Sequence, residues 1–341
     1  MKIKPDTIFN DAKISLINTR KERFNIVSFT PEKKDGQFCL KANGETLALN
    51  INDEIILSII VKYKFCPKWL VEQWYSSLAG NNVLLGSEEE SKIKSFISFG
   101  LLYELPSAVA VFLMPTESLA NLFGIKLGKF ISPPYNTLSH TISEQQVLFE
   151  CLTGHAEYVK DIECIPYVSQ WGLGTSGVMC IPECDYSVRN SYFYKHIEEF
   201  NDQEAILAQE ILEGKIITTP DFRESKLTIH KKLDQYKYEL KIPDLSVLAP
   251  RVKNEDGIAM PRSIALEVEL TCKGVNKYER LLDLYWDNLK FGKVVYLVDN
   301  GTTRDALLQA LEYLQMVHQT DGINKTCEFE IVEFQVPSMN S

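Results

Sequence analysis

The chain of 341 residues has no long hydrophobic run. No stretch of about 18 apolar residues is free of charge, which excludes a membrane-spanning helix from the expected architecture. The N-terminal segment MKIKPDTIFNDAK has no apolar core, so we do not expect a secretory signal. Internal repeats and low-complexity tracts are also missing. We therefore predict a cytoplasmic protein with no membrane partner.

Closely spaced cysteines are nearly absent. The eight cysteines are scattered, and only Cys180 and Cys184 lie near each other in sequence. This pattern is typical of reduced thiols in a cytoplasmic protein. A zinc site would need two further ligands, and only Cys164 and His155 lie nearby, so we interpret the pair as packed or surface cysteines.

The composition is that of an ordinary globular protein, with 45% hydrophobic and 24% charged residues, and the length suggests about two domains. The formal net charge is −10, which does not favour a broad nucleic-acid-binding surface. The charge is uneven, however. Residues 1–130 carry 16 basic and 14 acidic residues, whereas the remainder carries 20 basic and 32 acidic residues. Any DNA contact is expected to be local.

Residues 49–130 show three helical patterns followed by two short apolar runs. Residues 1–48, before them, are expected to form an arm or a short hairpin. The first helix is expected to be capped at Asn52 or Asp53, the second to start at Pro67, and the third to span residues 88–99. Strands are expected at 101–105 and 108–114. Three helices followed by a hairpin is the order of a winged helix-turn-helix DNA-binding domain.

In that interpretation the third helix enters the major groove, and Lys92, Lys94 and Ser95 face DNA. The helix begins with three glutamates, which suit the positive end of a helix but not a phosphate backbone. A winged helix used only for protein contacts, or a plain helical packing unit, therefore remains an alternative.

The second half, residues 135–341, alternates strand and helix patterns. Two adjacent strand patterns followed by helix, strand, helix and strand predict a mixed sheet covered by helices. The expected elements are strands at 238–248 and 263–271, a helix at 276–289, a strand at 293–298, a helix at 302–316 and a strand at 329–336.

Acidic residues interrupt the most apolar part of this sheet. Asp244 lies in one strand pattern, and Glu267 and Glu269 lie on one face of the next, with Lys273 beyond them. Placing these charges on an interior strand is costly unless something compensates. A divalent metal such as Mg²⁺ would, because carboxylate oxygens are its usual protein ligands. The alternative is an exposed edge strand whose acids pair with Lys273 or Arg262.

At these residues the chain resembles the PD-(D/E)xK nuclease core. More narrowly, it resembles the replication-relaxation family, which includes MobC-type relaxases of mobilisable plasmids and integrative elements. The matching residues are Pro243, Asp244, Glu267, Glu269, Leu270, Thr271, Lys273 and Tyr278. Glu210 matches the family's helical acid. The family's His-x-Leu element is not matched at His230. The strict nuclease pattern has lysine two residues after the acid, but Glu269 occupies that position here and Lys273 lies four residues further on.

The resemblance covers about residues 50–300. It implies an α+β protein, with an N-terminal winged helix-turn-helix followed by a restriction-endonuclease-like mixed α/β sheet domain. It also implies an endonuclease that nicks one DNA strand at a plasmid or mobile-element origin of transfer or replication, with Mg²⁺ or Mn²⁺ as cofactor and accessory mobilisation proteins as partners.

The resemblance also implies roles for these residues. Asp244, Glu267 and Glu269 would hold the metal, and Lys273 would stabilise charge on the attacked phosphate. Tyr278 would support the site by anchoring the strand, or act as a nucleophile, or simply pack in a helix. Two other functions stay open: a non-catalytic DNA-binding regulator that keeps the nuclease scaffold, and a restriction-type endonuclease.

Overall fold

A computed structural model of the chain has mixed α and β structure, with helices and several sheets. It describes residues 30–34, 37–42, 44–79, 88–107, 109–125, 127, 135–182, 243–250, 252–253, 259–260, 263–286, 291–321 and 327–337. Within these ranges no helix combines the length and the hydrophobicity needed to cross a membrane. The cysteines described there are free thiols, and Cys184 lies outside them.

The chain divides into two units. The first comprises Met1–Glu157, Ile165–Cys180 and Gln335–Ser341, and the second comprises Tyr158–Cys164 and Ile181–Phe334. The elements of the first unit are β1 (Thr30–Lys34), β2 (Gln37–Ala42), β3 (Glu45–Leu49), α1 (Ile51–Tyr63), β4 (Cys66–Pro67), α2 (Lys68–Ala79), α3 (Glu88–Ser98), β5 (Leu102–Pro106), β6 (Val111–Pro115), α4 (Glu117–Leu122), α5 (Tyr135–Thr153), β7 (Tyr167–Val168) and β8 (Thr175–Ser176).

The first three strands form an antiparallel sheet in sequential order. The part of the expected N-terminal arm that the structure describes is therefore a small sheet, with one strand more than a hairpin. Leu40 and Leu49 on this sheet are buried, and the Phe38 ring stacks on Trp171 at 4.7 Å, so the sheet packs against other parts of the first unit.

Helix α1 begins at Ile51 because Asn50 caps it. The Asn50 side chain accepts a hydrogen bond from the Asp53 N–H, and the Asp53 carboxylate accepts one from the Asn50 N–H, both at 2.9 Å. This reciprocal capping box satisfies two backbone donors at the helix start. The predicted cap at Asn52 or Asp53 was therefore wrong, since both residues lie inside the helix.

Strand β4 pairs with β6, and β6 pairs with β5, so the hairpin of β5 and β6 gains a short third strand. The element order from α1 to β6 is helix, strand, helix, helix and hairpin. Thr116 caps α4, since its hydroxyl accepts a hydrogen bond from the Leu119 N–H at 3.2 Å.

Helix α5 packs in the first unit, whereas the sequence analysis predicts a second domain that begins at residue 135. The Trp74 ring stacks on Phe149 at 4.8 Å, and the Trp74 indole N–H donates to Gln146 at 2.6 Å. Gln145 donates to the Phe65 carbonyl at 2.8 Å. These contacts join α5 to α2 and to Phe65, which lies between α1 and β4, across 72 to 80 positions in sequence, and no local pattern indicates them.

The segment carrying β7 and β8 also belongs to the first unit, and Glu54 holds it there. The fully buried Glu54 carboxylate accepts hydrogen bonds from the Tyr167 hydroxyl at 3.0 Å, the Ser169 hydroxyl, and the Gln170 N–H at 2.6 Å. Close packing continues at Gly177, where an added Cβ would lie 2.2 Å from the Cys151 carbonyl oxygen. A side chain at this position would force the segment away from α5.

The second unit is built on a five-stranded sheet. Its elements are β9 (Cys180–Pro182), β10 (Leu245–Val247), β11 (Val252–Lys253), β12 (Ala259–Met260), β13 (Ile264–Glu269), α6 (Val275–Trp286), β14 (Lys293–Val298), α7 (Gly301–Asp321) and β15 (Glu328–Glu333). The strand order is β15-β14-β13-β10-β9. Strand β10 is antiparallel to β13, whereas β13, β14 and β15 are parallel to one another.

Helices α6 and α7 are the crossovers between the parallel strands, and they cover one face of the sheet. The buried residues of this layer are Ala265, Tyr278, Leu282, Tyr285, Trp286, Phe291, Val294, Tyr296, Val298, Ala306, Leu307, Ala310, Leu314 and Cys327. From residue 263 onward each strand and helix starts within one residue of the predicted start, whereas α7 continues five residues beyond its predicted end at residue 316.

Lys92 pairs with a buried carboxylate in the first unit. Its ammonium lies 2.9 Å from Asp53, whose side chain is fully buried, and donates to the Ala48 carbonyl at 3.2 Å. The Tyr75 hydroxyl donates to the same carboxylate at 2.8 Å. Lys92 therefore joins α3 to the start of α1.

Replacing Lys92 with methionine should lower the free energy of unfolding by about 2 kcal/mol, because the buried Asp53 carboxylate loses its charged partner. Lys94→Met is the matched control on the same helix. Lys94 is exposed, so that change should stay within about 0.5 kcal/mol. Urea unfolding followed by tryptophan fluorescence measures both. Equal stabilities of the two variants would contradict the structural role of Lys92.

Candidate acidic site on the central sheet

Three acidic side chains share one buried face of the second unit. Asp244 immediately precedes β10. Extending the register of β10 with β13 by one residue places Asp244 opposite Glu267. Glu267 and Glu269 alternate with Leu266 and Val268 on β13, so they point to the face that the helices cover. The exposed fractions of Asp244, Glu267 and Glu269 are 8%, 2% and 3%.

This placement excludes the alternative of an exposed edge strand. Strand β13 is interior, with β10 on one side and β14 on the other. All six of its residues are buried. Arg262, the other cation of that alternative, lies outside the described residues.

Specific donors hold two of the carboxylates. The Asp244 carboxylate accepts a hydrogen bond from the Val268 N–H at 2.8 Å, so this side chain extends the backbone ladder beyond the end of β10. The Tyr285 hydroxyl on α6 donates to Glu267 at 2.5 Å. Burial, and then the negative charge of Glu267, raise the pKa of Tyr285 well above its usual value, so this hydroxyl keeps its proton and remains a donor.

Lys273 and Tyr278 organise the end of β13. Lys273 forms an ion pair with Glu269 and reaches back toward the strand from its exposed position. The Tyr278 hydroxyl donates to the Thr271 carbonyl and accepts from the Lys273 N–H, both at 3.2 Å. Tyr278 therefore fixes the turn that carries Lys273, which is a positioning role.

Two tyrosines at this site were not assigned a role from the sequence. Tyr285 follows Tyr278 by seven residues, which is two turns on the same face of α6. Tyr296 lies opposite Glu267 in the register of β14 with β13. Tyr296 carries the one hydroxyl of the apolar strand KVVYLV. A hydroxyl in so apolar a strand was the sequence signal that could have identified this residue.

The Tyr296 hydroxyl is buried and has no hydrogen-bond partner among the residues that the structure describes. Burial, and then the negative charges of Glu267, Glu269 and Asp244, raise its pKa well above the usual value. An unpaired hydroxyl beside three carboxylates is a position where water or an ion is expected.

The donor set suits a divalent cation in charge and chemistry, because three carboxylates lie near a single lysine. Their present spacing is wider than a shared coordination shell. Within the described part of the chain, Asp244, Glu267 and Glu269 do not form a group whose ligand oxygens all lie within 4.8 Å of one another. The hydrogen bond from Tyr285 and the ion pair with Lys273 direct the two glutamates to different partners, so shared coordination would require side-chain rotation.

The residues expected to face DNA lie on α3 with different surroundings. Lys92 is engaged with Asp53, and its ammonium also lies 5.6 Å from the Phe96 ring centre. Lys94 is exposed. The Ser95 hydroxyl donates to the Ser91 carbonyl at 2.8 Å. Of the three, Lys94 is the side chain that the fold leaves on the surface.

Some predicted residues lie outside the described part of the chain. These include Glu210 and His230. Compared with protein-family models, with curated proteins and with solved structures, the chain gave no match in any of the three comparisons. The geometry of the acidic site is therefore the basis for proposing a function.

The surroundings of Tyr278 determine the protonation state of its phenol. Burial, and then the charge of Glu269, raise the pKa of Tyr278 to about 12, although the hydrogen bond from the Lys273 N–H acts in the opposite direction. The phenol is therefore neutral at physiological pH. Because the folded pKa is above the unfolded value of about 10, its contribution to stability is complete below pH 10 and lost as pH rises through about 12.

We expect the ultraviolet phenolate difference between wild type and Tyr278→Phe to show no ionisation between pH 9 and about 11. Circular dichroism at each pH checks that both proteins remain folded. A midpoint near 10 in the difference titration would contradict the buried, hydrogen-bonded environment of Tyr278.

Proposed function

We propose that this protein is a metal-dependent DNA endonuclease that nicks one strand, as relaxases do, at an origin of transfer or replication. The observation that carries the proposal is the burial of Asp244, Glu267 and Glu269 on one face of neighbouring strands, with Lys273 at the strand end. The resemblance to the PD-(D/E)xK core leads to the same residues.

Burying these three carboxylates on one face of the sheet is energetically unfavourable unless something compensates. Burying a charged carboxylate costs several kcal/mol, and like charges repel each other. The described partners offset part of this cost through Tyr285, Lys273 and the Val268 N–H. The unpaired hydroxyl of Tyr296 remains. A cation bound between these groups would offset the remainder.

Asp244 and Glu267 are the residues that would hold Mg²⁺ or Mn²⁺, and Glu269 would complete the set after leaving Lys273. When bound, the metal would supply polarisation of a phosphate oxygen and charge neutralisation during phosphodiester cleavage. Lys273, released from Glu269, would place its ammonium beside the developing negative charge. Tyr278 would keep Lys273 in position through the hydrogen bond to its N–H.

The first unit would dock the DNA. Its order from α1 to β6, three helices and a hairpin with a short extra strand, supports the interpretation as a winged helix-turn-helix. In this proposal α3 enters the major groove and the hairpin of β5 and β6 contacts the backbone. Lys94 and Ser95 would approach DNA, and Lys92 would support α3 from behind through Asp53.

A second candidate function is a DNA-binding regulator without catalysis. The observation in its favour is that Glu269 is already paired with Lys273 and Glu267 with Tyr285, so the carboxylates are not gathered around one point. In that case the acidic set would be a structural network inside a retained scaffold.

Nicking of supercoiled plasmid carrying the cognate origin tests the two functions. Wild type should give open circles only with Mg²⁺ or Mn²⁺, and Asp244→Asn or Glu267→Gln should reduce the rate at least about 100-fold because a ligand oxygen is lost. Glu328→Gln is the control, since Glu328 is an exposed acid on β15 of the same sheet.

Each other product has a defined meaning. Linear plasmid would favour a restriction-type endonuclease over nicking. Absence of cleavage, with DNA affinity unchanged in Asp244→Asn and Glu267→Gln, would support the non-catalytic regulator. Equal loss of nicking in Glu328→Gln would show that the effect is one of charge or folding and would contradict the assigned site.

A further prediction concerns the docking of duplex DNA by α3. Lys94→Ala should weaken binding of an origin duplex and reduce the slope of log affinity against log salt by about 1, as the loss of one phosphate contact does. Lys41→Ala, at an exposed lysine on β2, is the control with the same charge change. An unchanged slope in Lys94→Ala would contradict the docking of duplex by this part of α3.

A further inference from the structure

An open groove of about 730 Å³ lies beside the first turns of α6. Three cationic side chains line it: Lys273, Lys277 and Arg280. The apolar side chains of Leu281 and Leu284 also line it. This concave surface is basic, although residues 131–341 as a whole carry 12 more acidic than basic residues.

Two of these cations have no partner within the described residues. Lys277 and Arg280 are exposed and make no ion pair or side-chain hydrogen bond there. They are three positions apart on a helix, which puts them on one face with Cβ atoms about 5–6 Å apart. Lys273 lies on the same groove and also contacts Glu269, so the groove adjoins the acidic site.

The cations are also unfavourably placed for the helix itself. The first turn of α6 contains no acidic residue and does contain Lys277, although the positive end of a helix favours negative charge. Gly274 precedes the helix and offers only its carbonyl, which accepts from the Lys277 and Tyr278 N–H groups. An anion in the groove would relieve this repulsion between like charges.

We propose that this groove binds the phosphates of a single nucleic-acid strand and leads it to the acidic site. The inference rests on the proposed function, because it supplies the path of the strand to be cut. The groove is open and is lined by apolar residues as well as cations, which suits a sugar-phosphate chain better than an isolated inorganic anion. Lys273 is the point at which the strand would pass from the groove to Glu269.

Binding of a fluorescein-labelled single-stranded oligonucleotide to the full chain, in EDTA and across a salt series, tests this path. Fluorescence anisotropy gives the affinity at each salt concentration. For Lys277→Ala/Arg280→Ala, two lost contacts should reduce the salt slope by about 1.4. The same change in slope weakens the affinity about 10- to 25-fold at about 0.1 M salt.

Arg304→Ala is the matched control for Arg280→Ala. Arg304 is exposed on α7 of the same unit and pairs with Glu333, so both changes remove one surface arginine. Arg280→Ala alone should reduce the slope by about 0.7, and Arg304→Ala should leave it unchanged. Equal effects of the two variants, or no effect of the double variant, would overturn the proposal that this groove binds a nucleic-acid strand.

Two further outcomes separate the sources of failure. If inorganic phosphate alone binds in a manner dependent on Lys277 and Arg280 while the oligonucleotide does not, the strand path is wrong. In EDTA the affinity is measured without metal-dependent cleavage, and nicking is measured separately with Mg²⁺ or Mn²⁺. A groove-dependent affinity in EDTA, together with no nicking when the metal is present, would support strand binding by the groove and contradict the catalytic proposal. Nicking that is insensitive to both groove substitutions would do the reverse.

Discussion

The second unit depends on one constraint, which is that Glu267 and Glu269 lie on a strand buried on both sides within its sheet. Their alternation with leucine and valine leaves them no route to solvent without turning the apolar residues outward. The surrounding residues provide each of these carboxylates with a partner. Tyr285 from α6 reaches Glu267, and Lys273 turns back from the strand end to Glu269. The placement of α6 and its first turn is thus tied to the acids beneath it.

Comparison with the first unit shows how a purely structural pair of acids looks. Asp53 and Glu54 are completely buried, and each is surrounded by donors: Lys92, Tyr75 and a backbone N–H for Asp53, and two hydroxyls and a backbone N–H for Glu54. The acids on the central sheet differ, because the Tyr296 hydroxyl beside them lacks a described partner. This incomplete satisfaction is the physical reason for assigning function to the second set and not the first.

Much of this sheet could be predicted from the sequence, because period-two alternation and strand–helix order are local signals. The pairing of Asp244 with the Glu267 strand followed from that order. What could not be predicted are contacts between residues far apart in sequence. Lys92 has the pattern of an exposed helical lysine, yet its partner Asp53 lies 39 positions earlier in the chain. The roles of Tyr285 and Tyr296 were missed for a different reason, because a tyrosine in an apolar pattern is usually a packing residue.

The uneven charge of the chain fits a protein that holds nucleic acid at few points. A broad basic surface would bind any duplex and lose affinity steeply with salt. Here an acidic second half presents three cations in one groove, and an almost neutral first part presents Lys94 on α3. The net negative charge of residues 131–341 would weaken strand binding away from that groove. Repulsion outside the path then contributes to orientation as much as attraction within it, because both limit where phosphates can lie.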